Sequence, residues 1–305
     1  MVIEVENLVK HYGSIKAVDG ISFQVSQGEV FGMLGPNGAG KTTTVEIIEG
    51  LRSADSGRVS VFGLDVARGR SEIKQRIGIQ LQAPSLMPLL RVEEMLDTFA
   101  SFFNHSLPVD NLLEPLSLTE SRKVLVKNLS GGQQQRLSVA LALVNDPEIA
   151  FLDEPTTGLD PQARRGLWSV IEGMRAGGKT VFLTTHYMEE AERLCDRVAI
   201  IDYGKIIALG SPHELINEYF KESAIQFELQ PVPEEIVLKT FPGATQVMVS
   251  DSEIIIYSND IPATMSAILK YVEKVNLAGK LKNLRVREST LEDVFLKLTG
   301  RRIRE

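Results

Sequence analysis

Gly35-Pro36-Asn37-Gly38-Ala39-Gly40-Lys41-Thr42 stands between an apolar run, Val30 to Leu34, and a helical stretch that opens at Thr43 and reaches Leu51. The octet fits G-x-x-x-x-G-K-[ST], a pattern whose chemistry works where a strand hands over to a helix. Its glycines let backbone N–H groups turn inward around anionic oxygens, and the helix N-terminus adds its dipole. Lys41 then reaches the outer phosphates of a nucleotide, and the Thr42 hydroxyl is placed to bind Mg²⁺. Residues 35 to 43, with Pro36, Asn37, Ala39 and Thr43 completing the cradle, are expected to hold phosphate.

Such a loop supplies few metal ligands, so an acid is needed on a neighbouring strand. Ile149-Ala150-Phe151-Leu152 ends in Asp153-Glu154, which puts two carboxylates at the C-terminal edge of a buried strand, where ligands of open α/β sheets gather. Asp153 is expected to hold Mg²⁺ through water. Glu154, one residue further on, is suited to polarise an attacking water as general base. A second glycine-rich helix start, Leu129-Ser130-Gly131-Gly132-Gln133, precedes an amphipathic helix carrying Leu137, Ala140, Leu141 and Val144. Exposed amides and a serine hydroxyl make it a second anion site. If it lies away from Lys41, it best serves a nucleotide held by another copy of the chain.

Outward from these motifs, β-rich runs alternate with helices through the first two-thirds of the sequence. Strands are expected at 2–5, 30–34, 59–62, 148–152, 180–183 and 198–201, with helices at 162–174 and 188–194. The last three runs are almost continuously apolar, as strands buried on both faces of a parallel sheet are. Residues 84–145 carry helical patterning at 92–103, 120–126 and 133–144 and read as a helical insertion into the α/β core. After about residue 220 the order becomes strand (224–229), helix (233–240), strand (245–249), strand (253–257), helix (262–275), strand (281–286). This βαββαβ order is the ferredoxin-like arrangement. Ser289-Thr290-Leu291-Glu292 reads as a capping box opening a final helix.

The chain has 305 residues, and 33 Lys+Arg against 40 Asp+Glu give a net charge of −7. That length allows one large domain or two, and 43% hydrophobic content excludes disorder. The acidic balance argues against a non-specific nucleic-acid binder. Apolar runs, the longest at Leu137 to Val144, fall far short of the roughly 18 to 20 residues a membrane helix needs. Met1 to Glu6 lacks a basic n-region, so a cleaved export signal is not expected. Cys195, the one cysteine, permits no internal disulfide, favours a reducing compartment such as the cytoplasm, and reads as a small buried apolar residue. His11, His105 and His213 show no metal-ligand spacing.

The set Gly35 to Thr42, Leu129 to Gln133 and Phe151 to Pro155, in this order, resembles the nucleotide-binding subunits of ABC transporters over about residues 1 to 220. The resemblance implies a P-loop core of ABC type, α/β with a helical subdomain at about 84–145, binding and hydrolysing ATP with Mg²⁺. It assigns Tyr12 to stacking on adenine and Val18 to packing at the ribose and base. Gln82 matches the glutamine that senses Mg²⁺ and nucleotide and relays closure to membrane subunits. Asp160, in Gly158-Leu159-Asp160-Pro161, matches the aspartate that contacts the opposite subunit, and His186 matches the histidine that meets the γ-phosphate. The loop before Asp160 reads Thr157-Gly158 where many relatives have Ser-Ala, a departure that leaves the aspartate in place. The resemblance further implies a head-to-tail homodimer, with ATP between one copy's phosphate loop and the other's Ser130 to Gln133, and a membrane permease on a separate chain. It places the protein at the inner face of the cell membrane.

Ser289 to Gly300 resembles the ending of drug-resistance, daunorubicin-efflux-like ATPases, which implies export. Basic residues near the end, Lys297, Arg301, Arg302 and Arg304, are candidates for contact with lipid or permease. Residues 221–305 are expected to form a small α+β accessory, dimerisation or regulatory domain. A non-transport ABC ATPase acting on the ribosome or nucleic acid is the alternative; it usually carries two cassettes or a long coiled-coil interruption, and neither feature is seen here.

Overall fold

The computed structural model describes residues 1–81 and 86–300. The chain divides into two compact units, Met1–Pro212 and a second that starts at His213.

In the first unit a long hairpin, β1 (Ile3–Tyr12) and β2 (Ile15–Val25), leads into the wholly buried β3 (Val30–Leu34) and α1 (Lys41–Ile48). β4 (Ser56–Val61) and β5 (Leu64–Asp65) follow, then α2 (Arg70–Arg76) and β6 (Ile77–Gln80). The helical insertion contributes α3 (Val92–Ala100), α4 (Val109–Leu113) and α5 (Gly131–Leu143). The remaining elements are β7 (Ile149–Asp153), α6 (Pro161–Ala176), β8 (Thr180–Thr185), α7 (Met188–Leu194), β9 (Arg197–Asp202) and β10 (Lys205–Gly210). Two sheets result, one antiparallel in the order β2-β1-β4-β5 and one in the order β10-β9-β3-β8-β7-β6. All strands of the larger sheet are parallel except β10.

Register places the site. Leu34 pairs with Thr185 and Asp153 with Thr184, so the C-terminal ends of β3, β8 and β7 lie level at one edge of the sheet. Phe31, Phe151 and Phe182 from those strands pack with Phe23 of β2, with ring centroids 5.3 to 6.2 Å apart. The apolar runs thus form the floor beneath the loops that follow them.

The second unit opens with α8 (Pro212–Tyr219) and continues β11 (Ser223–Glu228), α9 (Glu235–Lys239), β12 (Ala244–Ser250), β13 (Glu253–Ser258), α10 (Ile261–Lys274), β14 (Lys282–Arg287) and α11 (Leu291–Thr299). Its sheet is antiparallel in the order β12-β13-β11-β14. Ile225, Phe227, Ile254 and Ile256 pack with Leu238 of α9 and Ile268 and Val272 of α10. The break comes one helix earlier than the expected 220, because Phe220 stacks on Tyr257 at 4.4 Å and Lys297 donates to the Tyr219 carbonyl at 2.7 Å.

Two expectations are corrected. The helix expected over Glu120 to Val126 is only a pair of 3₁₀ turns, Thr119–Ser121 and Val126–Asn128. Its backbone pairs across the chain instead: Val92 and Glu93 donate to the Val124 and Arg122 carbonyls, and Val126 donates to Leu90. The capping box of the last helix is formed by Thr290 and Asp293 rather than by Ser289 and Glu292; the Ser289 hydroxyl is spent on the Glu222 carbonyl at 3.0 Å. Among the described residues no helix is long and apolar enough to cross a membrane.

Candidate nucleotide site

The loop between β3 and α1 needs glycine at two points. Gly40 has φ +108°, and a Cβ there would meet the Ala17 carbonyl oxygen at 2.1 Å. A Cβ on Gly35 would meet the Ile201 carbonyl oxygen at 2.3 Å. The loop is therefore seated tightly on β2 and β9, which fixes where its amides lie. Lys41 follows at the first helical position, 5% exposed, and donates to the carbonyls of Gly35 at 2.7 Å and Pro36 at 3.3 Å. Burial pushes its ammonium below the usual lysine range, opposed by the charges of Glu154 and Asp153.

At the end of β7 the two carboxylates are in different surroundings. Asp153 accepts from Thr42 Oγ1 at 3.3 Å and from the Thr184 hydroxyl. Burial raises its pKa, helped by the negative charge of Glu154 and opposed by the two hydroxyls and Lys41. Glu154 lies 3.6 Å from Lys41 Nζ and 3.2 Å from His186 Nδ1. The close approach of His186, then the charge of Lys41, holds its carboxyl below the usual range against the effect of burial. Its backbone is left-handed at φ +49°, a conformation that costs a non-glycine residue about 1 kcal/mol or more and is retained where surroundings enforce it. Thr184 supplies that enforcement, accepting the Glu154 N–H on its carbonyl at 3.1 Å and on its hydroxyl at 3.0 Å.

The side chains of Lys41, Thr42, Asp153, Glu154 and His186 are thus gathered at one sheet edge. The oxygens of Thr42 and Asp153 are hard donors that suit Mg²⁺, which takes few protein ligands and keeps waters and phosphate oxygens. Among the described residues no group of three or more His, Cys, Asp or Glu forms a metal cluster, so a self-sufficient protein cage is not what these donors build.

The other expected residues are placed elsewhere. Ser130 caps α5, accepting from Gln133 N at 3.3 Å while Gln133 Oε1 accepts from Ser130 N at 2.9 Å. Gln133 also donates to Ser121 at 3.0 Å, so these side chains are engaged with each other rather than with the phosphate loop, and Gly131 is exposed. Asp160 caps α6 through the N–H groups of Gln162 and Ala163, both at 2.9 Å. Tyr12 ends β1, 40% exposed, with the Arg52 guanidinium 5.4 Å and the Lys10 ammonium 5.7 Å from its ring centroid. Val18 is corrected: it is 0% exposed and belongs to the core of the first unit, leaving no surface for a ribose or base. Gln82, Arg301, Arg302 and Arg304 lie outside the described residues.

Three contributors escaped the sequence reading. Thr184 holds both Asp153 and the Glu154 backbone, and its signal was a hydroxyl pair, Thr184-Thr185, closing an apolar strand. Gln135 Nε2 donates to the Pro155 carbonyl at 3.1 Å, tying α5 to the turn after Glu154. Glu49 is 2% exposed, and burial, then the charges of Asp153 and Glu46, raises its pKa to about 8; nothing in a helical Glu46-Ile47-Ile48-Glu49 marks which acid is buried.

Known proteins resemble this chain in sequence and fold. The ABC transporter family profile matches residues 18–157. The chain is 40% identical over 313 residues to the Nod factor export ATP-binding protein I of Ralstonia nicotianae, covering 100% of this chain and 95% of that one. It is 42% identical over 304 residues to the protein of that name in Burkholderia pseudomallei, covering 98% and 97%. Among solved structures, an ATP-binding subunit of an ABC transporter superposes with a TM-score of 0.67 at 28% identity, covering 72% of this chain and 93% of that one. The dimeric bacterial ABC transporter cassette MJ0796 superposes with a TM-score of 0.62 at 26% identity, covering 68% and 98%.

Proposed function

The chain belongs to the ABC transporter family as an ATP-binding, ATP-hydrolysing subunit, and from that premise we propose that it powers export through a permease carried on a separate chain. The carrying observation is Glu154, an ionised carboxylate between Lys41 at 3.6 Å and His186 at 3.2 Å. Lys41 and the backbone N–H groups of the loop that follow Pro36 bind the outer phosphates. Thr42 and Asp153 would hold Mg²⁺, which would supply charge neutralisation at the phosphates. Glu154 accepts the proton of the attacking water, and His186 orients that carboxylate and meets the γ-phosphate. Tyr12 offers an exposed ring for adenine.

Ser130 to Gln133 and Asp160 are assigned to a second copy's nucleotide in a head-to-tail dimer. MJ0796 is described as dimeric, and the exposed Gly131 and Asp160 support the reading. Names of the relatives specify export of Nod factor, which favours transport over action on ribosomes or nucleic acid; the cargo of this chain is left to its permease. The second unit, with its βαββαβ order and sheet order β12-β13-β11-β14, is read as a ferredoxin-like accessory domain. The reading is tested by measuring phosphate release from ATP by the purified chain with and without Mg²⁺, then identifying the membrane protein that co-purifies from native membranes. Absence of ATP turnover overturns it.

A further inference from the structure

His186 and Tyr187 join β8 to α7, and α6 reaches the same place through Arg164. The His186 ring centroid lies 4.2 Å from that of Tyr187. The Arg164 guanidinium of α6 lies 4.4 Å from the Tyr187 centroid, within the range where a cation is attracted to an aromatic face. Arg164, Tyr187, His186 and Glu154 therefore form a continuous line from the first turn of α6 to the proposed general base.

The line is anchored from below. Glu190 is fully buried on α7, and its Oε1 accepts from Trp168 Nε1 of α6 at 2.9 Å. The Thr185 hydroxyl accepts the Tyr187 N–H at 3.0 Å. Burial raises the Glu190 pKa, opposed in part by the charge of Arg164, and Arg164 Nε is buried without a hydrogen-bond partner of its own. A buried guanidinium nitrogen left unpaired is costly, and packing alone is served more cheaply by an apolar side chain. The cost is accounted for if the cation is kept for the Tyr187 ring and the orientation it imposes.

We propose that Arg164 and Tyr187 are a positioning pair for hydrolysis, fixing the His186 ring against Glu154 from the side of α6. The proposal deepens the hydrolytic reading of the site and rests on it. Neither residue touches nucleotide; they act through His186, so they govern turnover rather than ATP binding. Misplacement of a catalytic group by about 1 Å can lower turnover as much as 100-fold.

The test is steady-state ATPase kinetics of the full chain, with unfolding midpoints recorded alongside. Arg164→Ala and Tyr187→Leu are each expected to lower kcat about tenfold with KM for ATP within twofold of wild type. The double variant is expected to lose no more than the worse single one, because residues acting as one unit are not additive. Arg164→Lys, which keeps a cation over the ring, is expected to recover most of the loss. A kcat within twofold of wild type for both single variants, or losses that multiply in the double, overturns the proposal. If Arg164→Ala does not fold, Tyr187→Leu decides alone by the same kcat and KM criteria. Wild type that does not hydrolyse ATP overturns the site reading itself, whereas active wild type with unaffected variants overturns only the positioning role.

Discussion

Glu154 stands 3.6 Å from Lys41 Nζ, joining the end of β7 to the start of α1 across the intervening strand β8. The pair couples the proposed proton acceptor to the proposed phosphate anchor, and both are buried. Each constrains the other: after His186, the ammonium lowers the carboxyl's pKa, and the carboxylate offsets the desolvation of the ammonium.

Lys41→Ala removes the charged donor of the phosphate loop. Hydrogen bonds to charged groups contribute about 1.5 to 3 kcal/mol, so ATP affinity should fall roughly 10- to 100-fold. Isothermal titration with ATP checks this; an unchanged Kd contradicts the assignment of the loop.

Glu154→Gln keeps the shape of the side chain and removes the proton acceptor. Loss of general-base catalysis should lower kcat by about 10² to 10⁴ with ATP still bound. ATP-bound dimers should then accumulate, visible as a doubled mass in light scattering. A variant that hydrolyses ATP at the wild-type rate removes Glu154 from the mechanism.

Glu49 gives stability a pH dependence of its own. Its pKa is raised to about 8 in the folded chain, so between the ordinary glutamate range and pH 8 the folded state holds a proton that the unfolded state has released. Stability from this group is therefore full in acid, declines as pH rises through that window, and levels off above it. Glu49→Gln should flatten the decline and leave the variant more stable than wild type near pH 9, by an amount on the order of a few kcal/mol. Unfolding midpoints measured from pH 5 to 9 check the sign.

Asp293 holds α11 to the sheet of the second unit. It is buried and accepts from Tyr257 Oη at 2.6 Å, from Arg287 at 2.5 and 2.8 Å, and from the Thr290 N–H at 2.8 Å. Asp293→Ala leaves Arg287 without its carboxylate, held by Gln226 and the Glu288 carbonyl, and should destabilise this unit by about 3 kcal/mol. Unfolding by urea, followed at the second unit, should show an earlier transition, and an unchanged midpoint would sink the assignment.

Local pattern was enough for the elements that carry the chemistry. The octet at 35–42, the acids ending an apolar run and the serine before two glycines each have a meaning set by neighbours in sequence, because caps, phosphate cradles and buried strands are local in origin. That is why the helix starts and strand end that carry Lys41, Ser130, Asp153 and Glu154 were legible. Glu120 to Val126 and Val18 were not, since the first pairs its backbone with residues some thirty positions earlier and the second is buried by strands from distant parts of the chain.

What residue order by itself determined was the local elements: a glycine-rich loop between strand and helix, two acids at a strand end, a helical insertion and a second α+β unit. Tertiary structure alone decided which side chains meet. The parallel register that levels Leu34 with Thr185 and Asp153 with Thr184 is a long-range pairing with no local signature. It is also what brings Lys41, Glu154 and His186 within reach of one another and sets Glu154, in a left-handed backbone, against Thr184. Burial and proximity set charge states, and both are properties of the packed chain rather than of the sequence pattern.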